Sequence, residues 1–304
     1  MFQNKANIQD NYKAGICFII INTIFFSLIA VLVKQVRHLP LMEIMFFRNI
    51  PTMIIIPFMI KKSNISFWGN NKFSLWFRSL SVVIGMIALF YTYTVMSLTD
   101  AISLQQLGPF FTCFLAGIFL KEKLHFRQLP FFIFAFLGAL LVIKPGLRID
   151  MFPALIALVS AIFVAASQVT LRHLRLTDHY LVIVNYLAYI LGMVSLIILL
   201  VQNSFQLPSL SDLFFLFLLG GLALLSQITL TKAYQLAPAN LVSLYTYAQI
   251  IFVSLFELIF FKDLPDILTI IGAIFIIISG YLNYKYKTNT DSILKKPFSE
   301  CQRA

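Results

Sequence analysis

Ten apolar stretches, each about long enough to cross a bilayer, fill the 304-residue chain from Ala14 to Tyr284. A spanning helix needs roughly 20 mostly apolar residues, so little sequence is left for a water-soluble domain. Residue usage agrees, because 60% hydrophobic against 12% charged lies well outside globular composition. The pattern predicts spans near 14–33, 41–60, 73–97, 100–120, 128–144, 151–170, 180–201, 211–235, 238–261 and 266–285. A β-barrel would need short segments of alternating polarity, whereas runs such as IIFVSLFELIFF are apolar without a break. The expected fold class is an all-α integral membrane protein of ten transmembrane helices.

Lys5 and Lys13 precede the first span as they would in a signal peptide, but the apolar run is too long for an h-region and no A-x-A cleavage site follows. The span is expected to be retained. Cys17, Cys113 and Cys301 are scattered, with no C-x-x-C pair, which supports neither a disulfide framework nor a zinc site. Charge in the connectors sets an orientation, since Lys and Arg stay on the cytoplasmic side. With the N-terminus inside, fifteen of the 23 basic residues fall on inner segments, among them Lys61, Lys62, Lys72, Lys121, Arg172 and Arg175. Both termini are then cytoplasmic, and the tail over 286–304 reads as a polar, disordered end. The net charge of +11 follows the membrane side and not a folded basic face. Anionic headgroups of the lipid bilayer are its partner, and no nucleic acid is expected.

A weak internal repeat is visible in two places. A slide of 138 residues lays Thr23 to Ser27 over Ala161 to Ala165 and sets Lys34 and Arg37 on Arg172 and Arg175. A slide of 141 sets Lys121 and Glu122 on Lys262 and Asp263. The chain therefore divides into two five-helix halves, 14–144 and 151–285. Five is odd, so the second half enters the membrane from the opposite side, giving inverted repeats of the kind that form carriers with a substrate site near the midplane. Small residues at spacing four, Ala157, Ala161 and Ala165 on the sixth span, suit close helix packing. Pro51, Pro57, Pro109 and Pro130 lie within or beside spans, and the plain expectation for each is a tolerated bend.

Several local patterns carry a resemblance: FFRNIPTMIIIP at Phe46 to Pro57, LQQLGPFFTCFLAGIFLKEKL at Leu104 to Leu124, and LAPANLVSLYTYAQIIFVSLFELIFFKDL at Leu236 to Leu264. With the five-plus-five layout they resemble the drug/metabolite transporter superfamily, in particular its EamA-type members. That family has a proline in the fourth and ninth spans followed about 13 residues on by a glycine and a glutamate. The first copy keeps Pro109 and Glu122 with Lys121 in place of the glycine, and the second has Ile250 and Asp263, so it is the more divergent half. Within the family the chain is similar to carriers that take up S-adenosylmethionine in intracellular bacteria. The resemblance implies that solute as the small-molecule substrate, and no cofactor.

The residues themselves narrow the site less than the resemblance does. An ionisable side chain inside a span is a functional hypothesis by default. Arg48 lies about seven residues into the second span, Glu43 nearer its outer end, and Glu257 near the outer end of the ninth. Arg48 is expected to contact the substrate, where it could take a carboxylate, to act as a gate, or to pair structurally with Glu43, Glu257 or a backbone carbonyl; Glu43, five residues away and about 140° round the helix, would pair with it poorly. Glu43 and Glu257 are either substrate contacts or residues of the wet rim. Arg78 and Lys232 sit near inner ends and are expected to snorkel to the interface. Phe90, Tyr91 and Tyr93 on the third span, with Tyr245 and Tyr247 on the ninth, could stack an adenine and attract a sulfonium through cation–π contacts. Gln105, Gln106, Gln168, Asn185 and Gln249 offer amide hydrogen bonds. Such a pocket suits S-adenosylmethionine and equally several amino acids or nucleosides.

Enzyme readings fare badly. The chain has no G-x-x-x-x-G-K-[ST], H-E-x-x-H or G-x-S-x-G motif, and His38, His125, His173 and His179 all fall in or near connectors. No filter-like re-entrant segment points to a channel. Without a nucleotide-binding domain, transport must draw on a gradient or on exchange. The first span carries Asn22 and no acid, unlike the proton-coupled multidrug members of the superfamily. An exporter or importer of amino acids, nucleosides or drugs is the alternative on the same fold, and a membrane-anchored assembly protein is a third reading.

Overall fold

The computed structural model describes residues 10–36, 38–95, 98–122, 126–143, 151–203, 205–262 and 267–300. They form α1 (Tyr12–Gln35), α2 (Leu41–Lys62), α3 (Lys72–Val95), α4 (Leu98–Gln105), α5 (Gly108–Phe119), α6 (Leu129–Ile143), α7 (Met151–Leu174), α8 (Tyr180–Val201), α9 (Leu210–Leu236), α10 (Ala239–Tyr245), α11 (Ala248–Phe261) and α12 (Ile267–Glu300). A 3-10 turn at Phe126–Gln128 precedes α6, and there is no strand among the described residues. Eight of the described segments are long and apolar enough to cross a membrane, and the shorter apolar helices α5 and α6 bring the set to ten. The protein is a multi-pass membrane protein.

Local chemistry fixes the helix starts. Asn11 caps α1 by accepting from the Ala14 amide at 3.0 Å. Ser209 and Asp212 close a capping box on α9, which satisfies two amides that have no partner within the helix. Four connectors turn through a left-handed residue: Asn64 after α2, Lys121 after α5, Asn203 after α8 and Lys262 after α11, with φ of 51°, 53°, 48° and 58°. Asparagine tolerates that region better than most residues, whereas lysine does not.

Two expectations need correction. The fourth and ninth spans are not continuous: α4 stops at Gln105 and α5 begins at Gly108, while α10 stops at Tyr245 and α11 begins at Ala248. At the first break the Pro109 ring has no N–H and crowds the carbonyl four residues back at Gln105, while proline suits the first turn of the helix that follows. At the second, the Thr246 hydroxyl bonds the Ser243 carbonyl at 2.6 Å and so competes with the helical ladder. The tail expected to be disordered continues α12 as helix to Glu300. The apolar first turns of α12 supply the nucleus, after which each further residue adds a hydrogen bond at little cost. Residues 301–304, including Cys301, lie outside the described residues, as do Arg37, Lys123, His125, Lys144, Arg148 and Asp263.

By packing, the chain forms two compact units, each drawn from both sequence halves. The first comprises Met1–Leu80 and Gln168–Val242. In it α1 lies along α9, where the Asn22 amide donates to both the carbonyl and the hydroxyl of Ser226 at 2.8 Å. Ile29, Val36, Leu39, Ile44, Leu216, Leu219 and Ala223 form its apolar cluster. α2 packs on α8 and α9, and the Pro51 ring fits against Gly220, where an added Cβ would come within 2.5 Å of the proline Cγ. One end of this unit gathers the start of α1, the α2–α3 connector, the α7–α8 connector and the end of α9. Asp178 accepts from the Asn70 and Asn71 amides at 2.5 and 3.1 Å, Asn11 donates to the Leu236 carbonyl, and Asp10 pairs with both Arg172 and Arg175. The opposite end gathers the α1–α2 and α8–α9 connectors, where Glu43 Oε2 accepts from the Gln206 amide at 3.0 Å and His38 meets Asp212 at 3.2 Å. The helices thus alternate in direction as the hydropathy pattern requires.

The second unit comprises Ser81–Ser167 and Ser243–Ala304. Its centre is the α6–α12 pair, which crosses at Gly138 and Gly272. A Cβ on Gly138 would stand 2.6 Å from the Gly272 carbonyl oxygen and 2.9 Å from Phe275 Cβ. Backbones approach this closely in membranes because dispersion and polar contacts, not hydrophobicity, hold helices together there. Cys113, Phe132, Ala135, Ala139, Leu244, Tyr247, Ile250 and Ile276 make the buried cluster.

Candidate functional site

Arg48 and Arg78 both lie within spans of the first unit. Arg48, on α2, is half-buried, and its Nε is buried without an acceptor. It makes no ion pair with Glu43 among the described residues, as their five-residue separation led one to expect. Arg78, on α3, is 1% exposed. Its Nη2 donates to Gln227 Oε1 at 3.3 Å, while Nε and Nη1 have no acceptor. The expectation that Arg78 snorkels is therefore wrong: α3 turns it into the protein rather than toward the interface. Lys232 does not snorkel freely either, since its Nζ sits 4.5 Å above the Tyr180 ring and 5.4 Å above Phe18. Such cation–π contacts stabilise by about 0.5–2 kcal/mol.

Glu43 is 0% exposed and holds the Gln206 amide, with its other oxygen unpaired. Its place is thus inside a connector contact and not on a wet rim. Asn185, on α8, is buried with its Oδ1 unpartnered. Gln168 accepts from the buried Tyr234 hydroxyl at 2.8 Å.

In the second unit the ninth-span tyrosines use their hydroxyls within the fold. Tyr247 is 0% exposed and donates to the Gln106 carbonyl at 2.6 Å, which the α4–α5 break has released from its ladder. Tyr245 donates to the Gly280 carbonyl at 2.8 Å. In this conformation both act as struts. Gln105 donates to Ser160, which donates to the Gly85 carbonyl, each at 2.6 Å. Tyr91 is 44% exposed, and Gln249 lies at the start of α11. The side chains of Phe90, Tyr93 and Glu257 lie outside the described residues. Of the residues read from sequence, the structure brings Tyr247 and Gln106 together. Arg48, Glu43, Gln168 and Asn185 belong to the first unit and the tyrosines to the second. A groove bounded by Val142, Ile251, Ser254, Leu258, Ile270 and Ala273 is mostly apolar and is lined by no charged residue.

The sequence profile of the EamA-like transporter family matches residues 13–144 and again 151–285. The chain belongs to that family. Among relatives of this EamA chain, the pseudopaline exporter of Pseudomonas aeruginosa is 28% identical over 275 residues, covering 90% of this chain and 96% of that one. Solute carrier family 35 member G1 of Mus musculus is 31% identical over 283 residues, covering 87% and 76%. The S-adenosylmethionine uptake transporter of Rickettsia prowazekii is 25% identical over 269 residues, covering 88% and 90%. A solved crystal structure at 12% identity superposes with a TM-score of 0.81 over 89% of this chain and 96% of the other, a likeness of fold alone. These relatives are transporters, not enzymes.

Where the EamA pattern has its glycine this chain has Lys121, and the backbone there is left-handed, the conformation a glycine adopts without cost. His179 caps α8 at the end of the first unit that gathers Asp178 and Asp10, its Nδ1 accepting from the Leu181 amide at 3.3 Å. Burial first, and then the charge of Lys232, hold the His179 pKa below its ordinary 6.5. The folded form therefore takes up its proton at lower pH than the unfolded chain, so this contribution to stability is complete above pH 6.5 and declines as the pH falls below it. Thermal unfolding across that window should show the decline, and His179→Asn, which caps without titrating, should flatten it.

Proposed function

We propose that this EamA protein is a secondary carrier of the bacterial inner membrane that takes up S-adenosylmethionine in exchange for an internal solute such as S-adenosylhomocysteine. The observation that carries this reading is the similarity to the Rickettsia uptake transporter over 88% of the chain, together with an intramembrane arginine, Arg48, whose Nε lacks an acceptor. Arg48 would contact the solute through its free N–H. Gln168 and Asn185, in the same unit as Arg48, would offer further polar contacts.

We read the halves 14–144 and 151–285 as inverted repeats with both termini cytoplasmic. In support, α1 and α7 each have 24 residues and α2 and α8 each have 22. The fourth and ninth spans both break after their first helix, and left-handed residues recur at Asn64 and Asn203 and at Lys121 and Lys262. Discontinuous helices of this kind surround the solute in many carriers.

A second reading, export of another small solute, is favoured by the higher identity to the pseudopaline exporter and to solute carrier family 35 member G1. The deciding experiment uses the purified chain in liposomes with labelled S-adenosylmethionine. Saturable uptake that rises when S-adenosylhomocysteine or S-adenosylmethionine is placed inside, and that Arg48→Ala removes, is the expected result. No uptake in vesicles holding folded protein would overturn the assignment.

A further inference from the structure

We infer that Arg78 is an anion receptor that binds the carboxylate of the transported solute. The inference deepens the carrier reading and rests on it only for the identity of that solute. Among the other basic groups described in the first unit, Arg48 is half-buried and leaves one N–H, at Nε, without an acceptor, while three others have partners. Arg172 and Arg175 share Asp10, and Lys232 lies over two aromatic rings. Among the described residues Arg78 is the most deeply buried arginine, 1% exposed, and no carboxylate comes within ion-pair distance of it. Its guanidinium stays charged, offers five N–H groups, and is bonded only to the Gln227 side-chain oxygen at 3.3 Å. Both Nε and Nη1 are buried without acceptors.

The neighbouring α9 residue cannot supply the missing acceptor. Ser226 is engaged through both its carbonyl and its hydroxyl by Asn22. Gln227 accepts through its oxygen, so its amide nitrogen remains a donor beside the guanidinium. The site is therefore donor-rich, singly positive and lacks an anion. A planar monoanion fits it, because a carboxylate takes parallel N–H bonds from an arginine fork. A phosphate dianion would call for a second cation. Arg78 lies six residues from Lys72, the start of α3, or roughly 9 Å along the axis, and at 1% exposure its guanidinium is turned into the protein and not toward headgroups.

A guanidinium kept only for stability would have found its acceptors. With donors unmet it destabilises the empty protein, and an apolar replacement of similar length should leave the ligand-free melting temperature equal or higher. The test is thermal unfolding of the full chain in detergent over a sodium acetate series at constant ionic strength. It compares wild type, Arg78→Met, Arg78→Lys and the exposed control Arg127→Gln, with S-adenosylmethionine and its decarboxylated form as second probes. Acetate should stabilise wild type and Arg127→Gln alike, Arg78→Lys less, and Arg78→Met by about a tenth as much or not at all. Wild type should bind S-adenosylmethionine about tenfold or more tightly than the decarboxylated form, and Arg78→Met should lose that preference. No acetate response in wild type, or an equal one in Arg78→Met, overturns the anion site. An Arg78-dependent acetate response with no binding of either adenosyl compound upholds the site and overturns the substrate.

Discussion

Gly138→Leu is expected to prevent the second unit from assembling. The α6–α12 crossing leaves no volume for a side chain: a single Cβ at Gly138 would already stand 2.6 Å from the Gly272 carbonyl and 3.1 Å from Ile276 Cγ1. Those neighbours are backbone and the inner wall of the buried cluster, not the tips of flexible chains, so relief requires the two helices to part. Overpacking a filled core costs about 1–3 kcal/mol, and more where backbone must move. Separation here also strips dispersion contacts along both helices, which lipid replaces only in part. The expected cost is about 3 kcal/mol or more. Size-exclusion profiles and thermal unfolding in detergent would show little monodisperse protein. Gly221→Leu is the control, since a Cβ at Gly221 meets nothing within 4 Å, and it should behave like wild type. Equal behaviour of the two variants would mean that the crossing is looser than the structure has it.

That crossing was not legible in the sequence, although the helices that make it were. Hydropathy and span length identify ten crossing segments because lipid forces every backbone group into a helix. They are blind to interruptions inside an apolar run: LQQLGPFF and SLYTYAQII read as continuous, and only the Pro109 position hints at the first break. Arg78 shows the same limit from another side. Six residues from a helix end, an arginine can reach the interface, and whether it does depends on which face of α3 is covered, a property of packing partners distant in sequence. Arg48, seven residues into α2, was readable as an intramembrane charge, but its lack of an ion-pair partner was not. The tyrosines were readable as intramembrane groups, yet the use of their hydroxyls was not. Tyr247 answers a carbonyl freed 141 residues away, and that pairing follows only from the fold.

Asp178→Ala is expected to release one end of the first unit. Asp178 is buried and accepts from the amides of Asn70 and Asn71, at 2.5 and 3.1 Å, and from the Thr177 hydroxyl at 2.7 Å. The Asn70 side chain returns a bond to the Thr177 carbonyl at 2.6 Å, and Gln235 reaches the Asp178 carbonyl at 3.1 Å. One carboxylate therefore ties the α2–α3 connector to the α7–α8 connector. Hydrogen bonds to a charged acceptor contribute about 1.5–3 kcal/mol each, and orphaned amides add a desolvation cost, although this end of the unit admits some water. The net loss should be about 2–4 kcal/mol. Asp178→Asn should recover only part of it, because its amide nitrogen turns a donor toward donors. The measurement is thermal unfolding combined with hydrogen exchange at residues 69–72, where protection should fall in Asp178→Ala and hold in Thr177→Ala, which leaves the carboxylate in place. The connector matters beyond stability because it leads directly into the first turns of α3 and so sets the rotation of that helix. Loss of the Asp178 bonds should therefore lower carboxylate binding at Arg78 without touching Arg78 itself. An Asp178→Ala protein that melts like wild type would show that the α2–α3 connector is held by helix packing alone.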